Sequence, residues 1–339
     1  MVKRVFLIMF PKLYDVIRKS LNFNRLKKEY IYDINRYFNY SDYFYNNAEK
    51  RCIMRIMHRY HPIEKGLTMP DMRLGFGIDN ILLLISDCAE YKIEYLPNIS
   101  NKSASYEQYN HALSTLLEYI EVHDKAGFKL DTNLVTDIEN LTDGIDPKFI
   151  CNQIVISKEK YFAFSHSSFK EFVKSRYSVR NFHGEAPINK LVAAIEIAIH
   201  SPSACNRQPS RVHIIESKEL LTQVLELQGG NRGFGHLVDK LLIVTAELSG
   251  YRDISERNGV YVDGGLFSMN LLNALHYEEI AACPLNWYNS NNNDYKLRQL
   301  LSLPSSETVV MMIACGGVPN NIKLAYSKKN NINSIYTIR

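Results

Sequence analysis

Apolar and polar positions divide the chain into two stretches with different periods. Up to about residue 150, apolar residues recur at helical spacing, as in Ile53-Met54 with Ile56-Met57, the run from Ile81 to Ile85, and Ala112, Leu116, Leu117 and Ile120. β-rich runs are sparse there, so residues 1–150 are predicted to be a mostly helical accessory region. One segment interrupts the pattern: "HPIEKGLTMP" from His61 to Pro70, continued by Arg73-Leu74-Gly75-Phe76-Gly77, carries three glycines and two prolines. It is expected to be a long loop, serving either as a lid over a site or as a clamp between helices. Glu64, Lys65 and Arg73 are its charged candidates.

From about residue 151 to 339, helical patterns alternate with short β-rich runs at Val212 to Ile215, Leu241 to Thr245 and Thr308 to Ala314. The last two are continuously apolar, which suits strands covered on both faces in a layered arrangement. Ile188, Leu191, Val192, Ile195, Ala198 and Ile199 mark one helix, with Pro187 where a missing N–H is harmless. Leu266, Met269, Asn270, Leu271, Leu272, Ala274 and Leu275 mark another, apolar on nearly every side and expected to start near Asp263-Gly264-Gly265. Such a helix belongs in a core or between two chains.

Composition narrows the class without naming it. With 339 residues, 46% hydrophobic and 22% charged, the chain is an ordinary globular sequence long enough for two folding units. Lys+Arg 40 against Asp+Glu 36 gives +4, too even to indicate a nucleic-acid partner. Six scattered cysteines without CxxC spacing, and no cleavable signal sequence, lead to an expectation of free thiols in the cytoplasm. The apolar run Val5 to Phe10 is broken by Pro11-Lys12 and falls short of the roughly 20 residues that span a bilayer, so no stable membrane insertion is expected. Cys52, His58 and His61 lack a fourth partner for a metal and are read as core and loop residues; no metal is expected.

Candidate chemistry concentrates in two segments. In "SRYSVRNF", alternate side chains of an extended strand share a face, so Arg176, Ser178 and Arg180 project together. Two guanidiniums beside a hydroxyl suit a phosphate, although alone they equally describe a solvated basic turn. The second segment, "HSPSACNRQP", joins the helix ending near Ile199 to the strand at Val212. Two prolines stiffen it and Ser201, Ser203, Asn206 and Gln208 fill it with donors, as if to face a polar ligand.

Taken in order and spacing, "SRYSVRNF", one helix, then "SPSACNRQPS" and a strand resemble the opening of the nitroreductase family of FMN-dependent oxidoreductases. Gly230-Asn231-Arg232, Pro284-Leu285-Asn286-Trp287, Gly316-Gly317-Val318-Pro319 and Ser327-Lys328-Lys329 resemble later motifs of the same family, so the likeness covers roughly residues 165 to 335. It implies an α+β three-layer sandwich with a mixed β-sheet flanked by helices. Carried over residue by residue, Arg176 and Lys328 would meet the FMN phosphate, Ser178 the phosphate or ribityl chain, and Arg180 the N1–O2 edge. Ser203, Asn206 and Gln208 would hold the ring's polar edge and ribityl chain, Asn231 the pyrimidine, and the Asn286 amide would approach N5. Tyr177, Pro202, Ala204, Pro284, Leu285, Trp287, Gly316 and Gly317 belong to the same cofactor-binding motifs. Phe234, standing where many members have a lysine, and Trp287 would make the pocket bulkier.

The function so implied is hydride transfer from NADH or NADPH, visiting without its own Rossmann domain, through flavin N5 to a small-molecule substrate, with Arg180 and Asn286 as catalytic groups. The family implies a homodimer with FMN between two chains, to which Ile332 to Ile338 would contribute across the interface. Two alternatives stay open: a flavin-dependent dehydrogenase of a dedicated biosynthetic intermediate, and a flavin-binding interaction protein without turnover. Cys205 is read as packing, and Cys283 keeps a redox or substrate-contact role as its alternative. "HPIEKGL…RLGFG" resembles a longer nitroreductase-like subgroup linked to bacterial surface-polysaccharide gene clusters, which supplies no reaction.

Overall fold

The computed structural model describes residues 11–41 and 47–339; the run Val5 to Phe10 lies outside the described residues. A long helix, α1 (Pro11–Tyr40), touches the rest of the chain through Arg257, whose guanidinium holds Asp33 at 2.7 Å. Four further helices build the accessory core: α2 (Ala48–Leu67), α3 (Ile78–Glu94), α4 (Ala104–Lys125) and α5 (Thr132–Thr142). Their starts are written in the sequence. Asn47, Ser103 and Asp131 each accept a first-turn N–H, from Lys50, Tyr106 and Leu134 respectively, which satisfies donors that a helix end otherwise leaves unpaired. Ile56, Ile63, Ile81, Leu84, Leu116 and Ile138 close the core. At its edge Asp87 joins Arg55 at 3.0 Å and Arg59 in one ion-pair cluster.

The expected loop from His61 to Gly77 is half helix. Residues 61–67 are the last two turns of α2, with Pro62 inside the helix, and only the segment from Thr68 to Gly77 is irregular. Tyr60, Ile63, Glu64 and Leu67 fall at i, i+3, i+4 and i+7 and are buried together. Their burial outweighs the ~3 kcal/mol that an interior proline costs, and Pro62 itself sits on the exposed side.

The second half begins with β1 (Ile154–Ser157), α6 (Lys158–Phe162), α7 (Phe169–Ser175), α8 (Ile188–Ala198), β2 (Ser210–Ile215) and α9 (Lys218–Gln228). It continues through β3 (Lys240–Glu247), α10 (Gly259–Tyr277), β4 (Ala281–Leu285), α11 (Asn291–Leu301), β5 (Glu307–Gly316) and β6 (Asn321–Leu324). Strands pair in the order β2-β3-β5-β4, with β1 and β6 forming a separate ribbon. The protein is α+β. The sheet expected to be mixed is antiparallel at every pairing among the described residues. Strands β3 and β4, joined by α10, do run parallel, but β5 lies between them and turns one parallel contact into two antiparallel ones.

Alternation along β3 and β5 makes three layers. Leu242, Val244, Ile313 and Cys315 face α8 and α10, where they meet Leu191, Ala194, Leu271 and Leu275. Leu241, Ile243, Met312 and Ala314 face the other way, onto Leu221, Val224 and Leu225 of α9 and Leu297 of α11. Helix α10 starts at Gly259, earlier than expected, because Gly264 is a packing residue inside it: a Cβ there would stand 2.6 Å from Val310 Cγ2. The sheet-facing side of α10 is buried. Tyr261, Val262, Leu266 and Met269 on the opposite side are exposed, as are Val192 and Ile199 near α8.

Candidate functional site

After α7 the chain runs extended along the end of the sheet. The Val179 amide donates to the Ala282 carbonyl at 3.1 Å, the Tyr161 hydroxyl donates to the Tyr177 carbonyl at 3.2 Å, and Val179 and Phe182 are sunk in the core. This pinning turns Arg176, Ser178 and Arg180 into a cavity of about 680 Å³ that they share with Tyr177, Ser327, Lys328 and Lys329. Nη1 of Arg176 is buried there with no hydrogen-bond partner among the described residues. A buried, unmatched guanidinium N–H is costly and suits an acceptor supplied from outside the chain.

A second cavity of about 700 Å³ continues from the first through Arg180, Ser327, Lys328 and Lys329. One wall is Cys283, Pro284, Leu285 and Asn286 with Gln228 and Gly230; the other is the face of α2 from Met57 to Lys65. Burial, then the like charge of Arg180, pulls the Lys65 ammonium below the ordinary lysine range. Burial pushes the Cys283 thiol up, against the opposing pull of Arg180, which favours its protonated form.

The basic turn at Lys328 is positioned by the accessory helices. Ser327 sits in the left-handed region at φ 49°, and its amide donates to Glu64 Oε1 at 3.1 Å. Glu64 is fully buried, with His111 Nε2 at 2.6 Å and His61 Nδ1 at 3.4 Å. Burial alone would raise its pKa, yet the hydrogen bonds from His111, His61 and Ser327 prevail and hold it at about 2. Beside it, Tyr60 donates to Gln108 at 2.6 Å, and the Gln108 amide donates to the Lys328 carbonyl at 3.3 Å and to Asn330 at 2.7 Å. Lys328 Nζ itself stands 3.9 Å from Glu107. Gln108 and His111 were missed as site-building residues, and Glu64, expected on a loop, is instead the buried centre of this cluster. Their sequence signal is polar side chains on helix faces that are otherwise apolar.

The loop from Ser201 to Pro209 lies elsewhere. Ser201, Pro202, Ser203, Gln208 and Pro209 line a separate cavity of about 150 Å³ with Arg211 and Asp263. Cys205, Asn206 and Gln208 all have positive φ, a strained shape fixed from several sides. Ser203 Oγ accepts from the Gln208 amide at 2.9 Å, Asp263 accepts from the Ala204 amide at 3.2 Å, and Arg207 pairs with Glu256 at 2.6 Å. Cys205 is exposed at the surface of this loop. Neither the cavity lined by Arg176 nor the one that continues from it includes this loop.

Several expected pocket residues have other partners. The Asn231 amide donates to the Leu225 carbonyl at 2.5 Å, closing the end of α9, so Gln228 and Gly230 take its place on the cavity wall. Trp287 donates to Asp294 at 2.9 Å and packs on the core, and Phe234 is buried in that core beside Phe182. Neither lines the cavities, so neither narrows them. Gly316 and Gly317 lie under the 182–184 segment: a Cβ on Gly317 would stand 2.5 Å from the His183 carbonyl, so it serves backbone approach. Among the described residues, no cluster of three or more metal-ligating side chains occurs, and no helix is long and apolar enough to cross a membrane.

The fold and groove thus define a three-layer α+β protein with an anion-ready basic cleft at one end of its sheet. Residues 173–232, which contain both motif segments, match the sequence model of the nitroreductase family. No curated protein sequence matches. Among solved structures, a nitroreductase family protein from Streptococcus pneumoniae is similar at 18% identity over 51% of this chain and 100% of its own, with a TM-score of 0.45. A nitroreductase-like protein from Streptococcus mutans is similar at 17% identity over 50% and 98%, TM-score 0.43. A protein assigned as a nitroreductase from Exiguobacterium sibiricum, solved in complex with FMN, is similar at 18% identity over 51% and 98%, TM-score 0.44.

Proposed function

We propose that the chain is an FMN-dependent oxidoreductase whose cofactor lies along the two joined cavities. The observation that carries this is the buried, partnerless Nη1 of Arg176, set in a groove with Ser178, Arg180, Lys328 and Lys329. The donor set fits a phosphate at one end, and the 283–286 segment offers backbone and amide groups at the other. Arg176 and Lys328 would hold the phosphate and Ser178 the phosphate or ribityl chain. Arg180 would lie at the N1–O2 edge and the Asn286 amide near N5. Bound FMN supplies two-electron chemistry with NADH or NADPH as the reductant of this reading. The chain's own part is to bind, to orient, and to place the Arg180 charge where negative charge accumulates on reduction.

The same reading makes the active form a homodimer, because the expected ligand groups are divided between two places. Pro202, Ser203 and Gln208 line the separate small cavity, and Asn206 is fixed at positive φ in the same loop, outside the groove. The exposed apolar side of α10, with Val192 and Ile199 nearby and the exposed C-terminal residues Ile332, Ile335 and Ile338, offers a surface for a second copy. The loop of one chain would then complete the groove of the other. A cytoplasmic location goes with six free cysteines.

Purified protein should be yellow, release FMN on denaturation, and bleach anaerobically with NADH or NADPH. Colourless protein that takes up no FMN on titration would overturn the flavin reading. Yellow protein bleached by neither nucleotide would turn the reading toward a dehydrogenase of a dedicated intermediate.

A further inference from the structure

A third cavity, of about 650 Å³, opens beside the groove between the irregular segment after α2 and the turn after α9, and meets the groove at Pro62, Lys65 and Gly230. Its walls are fixed. Met69 is buried in the sheet-domain core, and a Cβ on Gly233 would stand 3.2 Å from its sulfur, so the two segments are packed against each other. Phe76 and Met72 give the cavity an apolar floor, and its charged lining is Lys65, Arg73 and Arg232 against Asp71, three cations less one carboxylate, or +2. Arg55, Arg207, Arg257 and Arg298 all find carboxylates. Among the described residues Lys65, Arg73 and Arg232 take part in no ion pair. Lys65 moreover is half-buried beside Arg180, where two like charges with no counter-ion are held at an electrostatic cost that an incoming anion would relieve.

We propose that this outer cavity receives the acidic group of the substrate, a carboxylate or a phosphate ester, so that the small molecule presented to the groove is an organic anion with a flat or apolar body. Lys65, Arg73 and Arg232 are then specificity-determining residues contributed from both halves of the chain. This substrate class rests on the flavin reading of the groove, while the anion site itself stands on its own lining.

The test is calorimetric titration of the FMN-loaded full chain with three probes that share a 4-nitrophenyl body: 4-nitrobenzoate, 4-nitrophenyl phosphate and the neutral 4-nitrobenzamide. Both acids should bind at least about tenfold more tightly than the amide, and Arg73→Gln combined with Arg232→Gln should erase that advantage. Both arginines are exposed, so the variant folds; Lys65→Met, checked by melting temperature, should act in the same direction. The tighter of the two acids names the source as carboxylate or phosphate ester. Yellow protein that binds the amide as tightly as the acids, or an advantage that survives in the double variant, overturns the anion site. Heat of binding needs no flavin colour, so colourless protein that still prefers the acids overturns the flavin reading alone.

Discussion

The Arg176–Arg180 segment and the Ser203–Gln208 loop are both short, polar and rigid, yet they differ in what satisfies them. The loop's donors are answered within the same half of the chain: Ser203 takes the Gln208 amide, Asp263 the Ala204 amide, and Glu256 the Arg207 guanidinium. The groove leaves Arg176 Nη1 buried and unanswered and borrows its opposite wall from helices of the other half of the chain. A self-satisfied loop can be presented to another molecule. An unsatisfied groove is finished only by a ligand.

The largest way to break this contrast is Glu64→Ala. Removing this buried carboxylate leaves His111 and the Ser327 amide without their acceptor, at about 1–3 kcal/mol for each group left unsatisfied, and would free the turn carrying Lys328. A large fall in melting temperature together with weaker FMN binding is expected; a stable variant altered only in turnover would instead make this segment a lid. The same carboxylate gives a pH signature. Its folded pKa lies below the ordinary 4.5, at about 2, so its stabilisation is present above the unfolded value and is lost as pH falls from about 4.5 toward 2. Acid titration of melting temperature should show that loss in the wild type and a shallower one in Glu64→Gln.

Arg176→Ala comes next. One charge-assisted hydrogen bond is worth about 1.5–3 kcal/mol, so FMN affinity should fall about ten- to hundredfold. Because the variant removes a buried unmatched N–H, cofactor-free stability should stay level or rise. Equal losses of stability with and without FMN would show that Arg176 is a structural residue.

How much of this was legible in the sequence follows from the same physics. The sheet core and the two motif segments were readable because continuous apolar runs and paired prolines and hydroxyls act locally. The turns from His61 to Leu67 were misread because Pro62 and Gly66 outvoted the Tyr60, Ile63, Glu64 and Leu67 periodicity, which was present and decided the outcome. Asn231, Trp287 and Phe234 were assigned by motif position, whereas their side chains found nearer partners in the Leu225 carbonyl, Asp294 and the core. The Glu64–Ser327 bond joins residues 263 positions apart, and no local pattern announces a pairing of that range.

A smaller effect sharpens the division between loop and groove. Asn206 has φ 54°, which glycine adopts freely, so Asn206→Gly removes the side-chain amide without backbone strain. Alone it should weaken FMN binding by several-fold. Co-expressed with Arg176→Ala, it should give mixed dimers in which one of the two sites has both elements intact, restoring tight binding to about half the sites of those dimers. Failure to restore any tight site would place loop and groove in one chain's site.

The smallest effect is on potential. Arg180 is buried at the junction of the two large cavities, beside Lys65 and above Cys283. Reduction adds negative charge to a bound flavin, and a cation near the N1–O2 edge stabilises the reduced form more than the neutral oxidised one. Arg180→Leu keeps bulk while removing the charge, so the bound flavin should become harder to reduce, with a lower midpoint potential measured by dye equilibration. Lys65 remains as a second cation close by, which limits the fall and makes it larger in the Arg180→Leu, Lys65→Met double variant than in either single one. An unchanged or raised potential in Arg180→Leu would mean that this guanidinium faces the phosphate end with Arg176, and both arginines would then belong to binding alone.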